Sequence, residues 1–83
     1  MKYHFFEERD FVSNCPHAWD IISYARMQTK KKDILFESAI LSQDMKSCTA
    51  TFSYFSDGYQ SSEITISCIF HEATKCEFSH SIK

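Results

Sequence analysis

Residues 68–80, CIFHEATKCEFSH, contain two cysteines and two histidines at spacings of three, five and four residues. Thiolate sulfur and imidazole nitrogen are the ligands that Zn²⁺ takes in small structural sites, where the ligands are closely spaced along the chain. Cys68, His71, Cys76 and His80 therefore form a candidate zinc set. Whether they can bind one ion depends on the secondary structure that carries them.

The local sequence favours strands over a tight metal-binding turn. The segment contains no glycine, which such turns usually need. On a strand, Cys76 and His80 would lie roughly 13 Å apart, and Cys68 and His71 would point to opposite faces of the sheet. A zinc site at these four residues is therefore the lesser alternative, and we expect neither a metal nor a cofactor.

The four cysteines are expected to be reduced and structural. Disulfides persist mainly in exported proteins, and nothing in this sequence indicates export. Cys15 lies near a predicted helix start, where the helix dipole favours a thiolate, but position 18 is alanine, so no CxxC redox pair exists. Cys48, Cys68 and Cys76 suit small apolar positions in a core.

The composition argues against an enzyme. A single glycine excludes the glycine-rich loops that bind phosphates and dinucleotides, because those loops need close backbone approach or a positive φ. Histidines could still provide acid–base groups for a cofactor-free activity such as a small nuclease. Nothing in the spacing of His4, His17, His71 and His80 selects that activity, so we expect no catalytic residues.

The length and composition of the chain predict one small folded domain over residues 1–83. Hydrophobic residues make up 43% of the chain and aromatic residues 16%, more than a disordered segment carries. No apolar run is long enough for a membrane helix, and the N-terminal segment reaches acidic residues too soon for a secretory signal. We therefore expect a cytoplasmic protein that does not interact with membranes.

A helix is predicted over about residues 15–30. Ser13 and Asn14 could cap it, with Pro16 in its first turn. EERDFV, just before, fits either a helical turn or a loop. An apolar stripe at spacings of three and four residues would face a core, and it comprises Ala18, Ile21, Ile22 and Ala25.

After the predicted helix, apolar and polar residues alternate along the chain. This alternation predicts an antiparallel sheet with one apolar face and one face rich in hydroxyls. The helix would cover the apolar face, giving the α+β class. Four to five strands are expected, at about 2–6, 33–42, 48–56, 62–71 and 75–82.

The alternation also predicts register, because a slip of one residue would turn inward side chains outward. In the last hairpin Phe70 should oppose Cys76, with a tight connection centred on Ala73. In the preceding hairpin a two-residue turn at Asp57 and Gly58 would pair inward with outward residues, so these two must lie in a longer loop that includes Tyr59.

The favoured function is non-enzymatic protein binding by occlusion of a partner's surface, as in inhibitors and adaptors. Such a class includes phage or mobile-element anti-defence proteins, immunity proteins and antitoxins. Large aromatic residues anchor protein interfaces, and Phe55 and Tyr59 are the best candidates because one interrupts the hydroxyl face and the other follows Asp57-Gly58. The predicted partner-binding residues are Phe55, Asp57, Tyr59, Thr51 and Ser53.

Nucleic-acid binding is the alternative. The net charge of −2 argues against a general polyanion binder, but it allows a local basic patch. Arg26, Lys30, Lys31 and Lys32 could contact phosphates together with Lys2, while Tyr24 or Tyr3 stacks on bases. An exposed edge strand, 33–42 or 75–82, could also pair with a second copy, so a homodimer is compatible with the sequence.

Overall fold

The computed structural model describes residues 3–72 and 75–83, which form an α+β fold, as predicted. Within these residues, two helices pack against one face of a five-stranded antiparallel sheet with the strand order β1-β2-β3-β4-β5. Neither helix is both long and apolar enough to span a bilayer. The elements are β1 Tyr3–Phe5, α1 Glu8–Asn14, α2 Ala18–Thr29, β2 Leu35–Leu41, β3 Ser47–Phe55, β4 Ser61–Glu72 and β5 Lys75–Ile82.

The helical region differs from the prediction of one helix starting near residue 15. Ser13 and Asn14 belong to the end of α1 and do not cap α2. The chain is extended at Cys15, with φ −94° and ψ 128°, because Pro16 disfavours the helical conformation in the residue before it. His17 then adopts the left-handed conformation at φ 58° and precedes the first turn of α2. The proline therefore separates two helices.

The predicted apolar stripe of α2 is buried, and α1 adds a large aromatic residue to the same core. The ring of Phe11 has no exposed surface and stacks on Phe36 with centroids 4.9 Å apart. Full burial of a phenylalanine side chain contributes about 1.5–3 kcal/mol relative to exposure. The sheet contributes alternate inward residues, which are Ala39, Leu41, Cys48, Ala50, Phe52, Tyr54, Ile64, Ile66 and Cys68.

The register follows the alternation. Phe70 opposes Cys76, and Cys68 opposes Phe78, as predicted for the last hairpin. The position of the predicted connection at Ala73 lies outside the described residues. In the preceding hairpin Phe55 opposes Ser61, so the intervening loop has five residues and the Asp57-Gly58 pair lies inside it, as predicted.

The edges of the sheet are β1 and β5. The prediction that 75–82 is an edge strand is confirmed for β5. The prediction of an edge at 33–42 is wrong, because β1 covers β2 by pairing Tyr3 with Leu41 and Phe5 with Ala39. On β2, Glu37 forms a bulge opposite β3. Bulges bend a strand and change the direction of nearby side chains.

Candidate functional site

The β3–β4 loop, residues 56–60, has a defined backbone. The Ser56 amide donates to the Gln60 carbonyl at 2.8 Å, and the Tyr59 amide donates to the Ser56 carbonyl at 2.9 Å. Gly58 has φ 91°, a conformation that glycine adopts without the steric cost that a Cβ would bring. These contacts fix the loop without the help of a core side chain.

Tyr59 combines an unfavourable backbone conformation with an exposed side chain. It has φ 62°, although residues with a Cβ disfavour the left-handed region. Its side chain is 90% exposed, so burial does not offset that cost. Residues held in sparsely populated backbone conformations cluster at functional sites; within the described residues His17, Lys30 and Met45 also have a positive φ.

Phe55, at the end of β3, is also exposed, by 62%. It shares the outer side of the sheet with Leu35, whose register partner is Ser53, so Leu35 and Phe55 are diagonal neighbours on adjacent strands. Both line a groove of about 420 Å³, whose charged lining residues are Arg26, Lys32, Glu8 and Asp33. We call Leu35, Phe55, Asp57 and Tyr59 the loop surface.

One ion pair attaches this loop to the segment after α2. Lys31 Nζ donates to Asp57 Oδ1 at 2.9 Å. The hydrogen bond and the positive charge of Lys31 hold the pKa of Asp57 below its usual range. The four residues of the predicted basic patch lie in three places. Arg26 and Lys32 line the groove, and Lys31 contacts the loop. Lys30 is exposed at the C-terminal cap of α2.

The predicted hydroxyl residues have partners within the sheet. The Ser53 hydroxyl donates to Glu37 Oε1 at 2.6 Å, and the hydroxyls of Thr51 and Thr65 lie 3.4 Å apart. Both Thr51 and Ser53 are half-buried. They are neighbours of Phe55 along β3, so they border the loop surface and do not form its centre.

Leu35 was missed by the sequence analysis. Its alternation marked it only as part of a strand, and exposure at 66% depends on its place before the bulge at Glu37. Glu37, the one charged residue in LFESAIL, is the local signal that could have indicated the bulge.

The candidate zinc set does not converge. His71 Nε2 lies 3.3 Å from Glu77 Oε2 and is exposed, whereas Cys68 is buried under the helices. His80 Nδ1 lies 2.9 Å from the hydroxyl of Tyr24, far along β5 from Cys76. Alternation along the strands therefore separates these four side chains, and their geometry gives the four-residue zinc alternative no support.

The buried cysteines form a thiol cluster in the core. Cys15 and Cys48 have sulfurs 3.5 Å apart, and Cys48 opposes Cys68 across β3 and β4. The hydrogen bond with Cys15, together with burial, raises the pKa of Cys48, while the same bond lowers the pKa of Cys15. Burial and the nearby Cys76 raise the pKa of Cys68 to about 12. Cys15, Cys48 and Cys68 are buried, as expected of structural thiols, and Cys76 is half-buried.

Three groups able to ligate a metal do come together elsewhere. Atoms of His17, Asp20 and Cys76 all lie within 4.8 Å of one another at the start of α2. His17 and Cys76 are far apart in the sequence, so local spacing could not reveal this arrangement.

Comparisons of the chain with known protein families, curated proteins and solved structures find no match.

Proposed function

We propose that this chain is a non-enzymatic binding domain that occludes a surface of a partner protein through the loop surface. The observation that carries the proposal is Tyr59, an aromatic side chain that is 90% exposed on a backbone held at φ 62°. Tyrosine and phenylalanine bury large areas on binding with little loss of side-chain freedom, and such residues dominate interface energies.

The remaining parts of the loop surface suit the same role. Phe55 and Leu35 offer adjacent apolar area, and interfaces have an apolar centre with a polar rim. Asp57 and Lys31 supply that rim. The loop is held by its own backbone hydrogen bonds, which reduces the entropy lost on binding. The chain would act as an inhibitor or an adaptor, and anti-defence, immunity and antitoxin proteins are the classes proposed.

Site-specific crosslinking tests this proposal. A photoreactive phenylalanine analogue placed at position 59 should crosslink to a protein from the native host. The same analogue at position 3 is the control, because Tyr3 is also exposed and aromatic but lies on β1. Equal crosslinking from both positions, or none from position 59, would contradict the proposed surface.

Nucleic-acid binding is a second candidate because Arg26 and Lys32 line the same groove as Phe55, where two carboxylates, Glu8 and Asp33, oppose them. Aromatic stacking beside cations is the pattern of single-strand binding. If Arg26, Lys30 and Lys32 each contact one phosphate of a single strand, affinity should fall roughly twentyfold between 50 and 200 mM salt. Binding of a labelled oligonucleotide with that dependence would favour this candidate over protein recognition.

A further inference from the structure

The start of α2 brings three different ligand types together from two distant parts of the chain. His17 Nδ1 lies 3.0 Å from Asp20 Oδ2, and the sulfur of Cys76 lies within 4.8 Å of the ligand atoms of both. His17 precedes α2, Asp20 lies in its first turn, and Cys76 belongs to β5.

We propose that His17, Asp20 and Cys76 bind a divalent transition-metal cation of the Zn²⁺ type. Imidazole, carboxylate and thiolate are all Zn²⁺ ligands, whereas Mg²⁺ and Ca²⁺ prefer oxygen ligands alone. Ligands 2.0–2.3 Å from a tetrahedral ion are separated by roughly 3.3–3.8 Å. His17 Nδ1 and Asp20 Oδ2 lie 3.0 Å apart and no pair of ligand atoms is more than 4.8 Å apart, so an approach of roughly 1 Å would bring the widest pair into that range.

Two features hold the imidazole in place. His17 has φ 58°, a conformation that costs a residue with a Cβ more than an ordinary helix cap would. Its ring packs against Phe70 with centroids 5.4 Å apart, and the side chain is largely buried. The strained backbone and the ring contact orient Nδ1 toward Asp20, so the nitrogen ligand is positioned before any ion binds.

The charge of the site suits a dication. The carboxylate of Asp20 and a thiolate at Cys76 together supply two negative charges, and a neutral imidazole completes three ligands. Three protein ligands leave the fourth position of a tetrahedral ion open to water or to a partner's side chain. Asp20 is exposed, so solvent can reach the site.

The chain contains a matched control. His71 and Glu77 form a second histidine–carboxylate pair, 3.3 Å apart, and both side chains are exposed. No thiol joins that pair into a cluster within the described residues. An effect that arises from any exposed histidine and carboxylate would therefore appear at both pairs, whereas a metal site with a sulfur ligand would appear only at His17.

Co²⁺ is the probe, because a thiolate ligand gives an intense charge-transfer band and tetrahedral coordination gives strong visible bands. The whole chain, under reducing conditions, should bind one equivalent of Co²⁺ with both features, and Zn²⁺ should displace them. His17→Asn, Asp20→Asn and Cys76→Ser should each weaken binding by at least about tenfold. His71→Gln and Glu77→Gln should leave it within twofold. Asparagine is chosen at position 17 because it tolerates the left-handed conformation.

Absence of the charge-transfer band in the unmodified chain would overturn the proposal. So would a band that persists in Cys76→Ser, or equal loss of binding in the control variants. Circular dichroism identifies any variant that fails to fold. In that case the unmodified chain decides: Zn²⁺ should slow alkylation of Cys76 by at least about tenfold, and an unchanged rate would contradict the site.

Discussion

Lys31 Nζ lies 2.9 Å from Asp57 Oδ1, and this ion pair joins the segment after α2 to the β3–β4 loop. The two residues are 26 positions apart in the sequence. The basic patch and the aromatic loop, which the sequence suggests as alternative sites, are therefore neighbouring parts of one surface. A partner bound there would contact both.

The Lys31–Asp57 pair predicts a specific change in titration. Lys31→Met should raise the pKa of Asp57 toward its usual value of about 3.9, because the hydrogen bond and the charge that lower it are lost. In the unmodified chain the contribution of the pair is present above about pH 4 and is lost as the pH falls through the lowered pKa. Carboxyl chemical shifts measured by NMR during an acid titration give the pKa of Asp57 in the unmodified chain and in Lys31→Met.

Asp44 is the internal control for that titration. Hydrogen bonds from the Ser42 hydroxyl and the Lys46 amide lower its pKa, and Lys31 takes no part. The pKa of Asp44 should stay the same in Lys31→Met. A shift of both carboxylates together would show a general effect of charge, and an unchanged Asp57 would show that the ion pair does not persist in solution.

Two phenylalanine substitutions should separate folding from binding. Phe11→Ala should lower the free energy of unfolding by about 3–5 kcal/mol, since the ring is fully buried against Phe36. Phe55→Ala should change it by no more than about 0.5 kcal/mol, because this ring is mainly exposed. Urea unfolding followed by circular dichroism measures both, and comparable losses would mean that Phe55 is part of the core.

Replacing Tyr59 with glycine should stabilise the fold while it removes the side chain that we propose as an anchor for the partner. Tyr59→Gly should raise the free energy of unfolding by up to about 1 kcal/mol, because glycine adopts φ 62° without strain. Gly58→Ala should lower it by roughly 1–2 kcal/mol. A Cβ at Gly58 would meet no atom within 4 Å, so the loss would come from the backbone alone. Thermal unfolding of the two variants tests this, and a destabilised Tyr59→Gly would refute the strain argument.

Cys68 predicts a loss of stability at alkaline pH. Thiols of the unfolded chain ionise near pH 8.5, while burial raises the pKa of Cys68 to about 12 in the fold. Above about pH 8.5 the folded state therefore binds more protons than the unfolded chain, so its stability falls as pH rises toward 12. Below pH 8.5 the contribution is fully present.

The test compares the unmodified chain with Cys68→Ala under reducing conditions. Urea unfolding from pH 8 to pH 10 should show a steeper decline for the unmodified chain, by up to roughly 1.4 kcal/mol per pH unit. Parallel declines would show that ionisation of Cys68 does not contribute.

Alternation along the strands allowed the antiparallel sheet and the register of its last hairpin to be predicted, but not the strand order. Because inward and outward residues differ so clearly, the pairing of Phe70 with Cys76 could be inferred, as could a loop longer than two residues around Asp57-Gly58 that includes Tyr59. The helices were harder. Pro16 fits either the first turn of one helix or the break between two, and only the extended Cys15 decides between them.

The candidate sites depended on contacts that no local pattern encodes. Tyr59 and Phe55 could be proposed from the sequence because Phe55 interrupts the hydroxyl face of its strand and Tyr59 follows Asp57-Gly58. Both are exposed. Lys31 and Asp57 belong to segments whose contact is not predicted by strand alternation. Cys76 lies near His17 only because β5 pairs at the edge of the sheet. The zinc-like spacing at residues 68–80 could be set aside from the sequence, because spacing along a strand does not bring ligands together.

The central claim is that the exposed aromatics of the loop surface anchor a protein partner. The most direct measurement uses the partner identified by crosslinking. Calorimetry would compare its affinity for the double variant Phe55→Ala/Tyr59→Ala with its affinity for the control double variant Phe6→Ala/Tyr3→Ala. The control removes two equally large exposed aromatics near β1. The account predicts at least about a 30-fold loss for the loop variant and less than threefold for the control. Equal affinities of the two variants would contradict it.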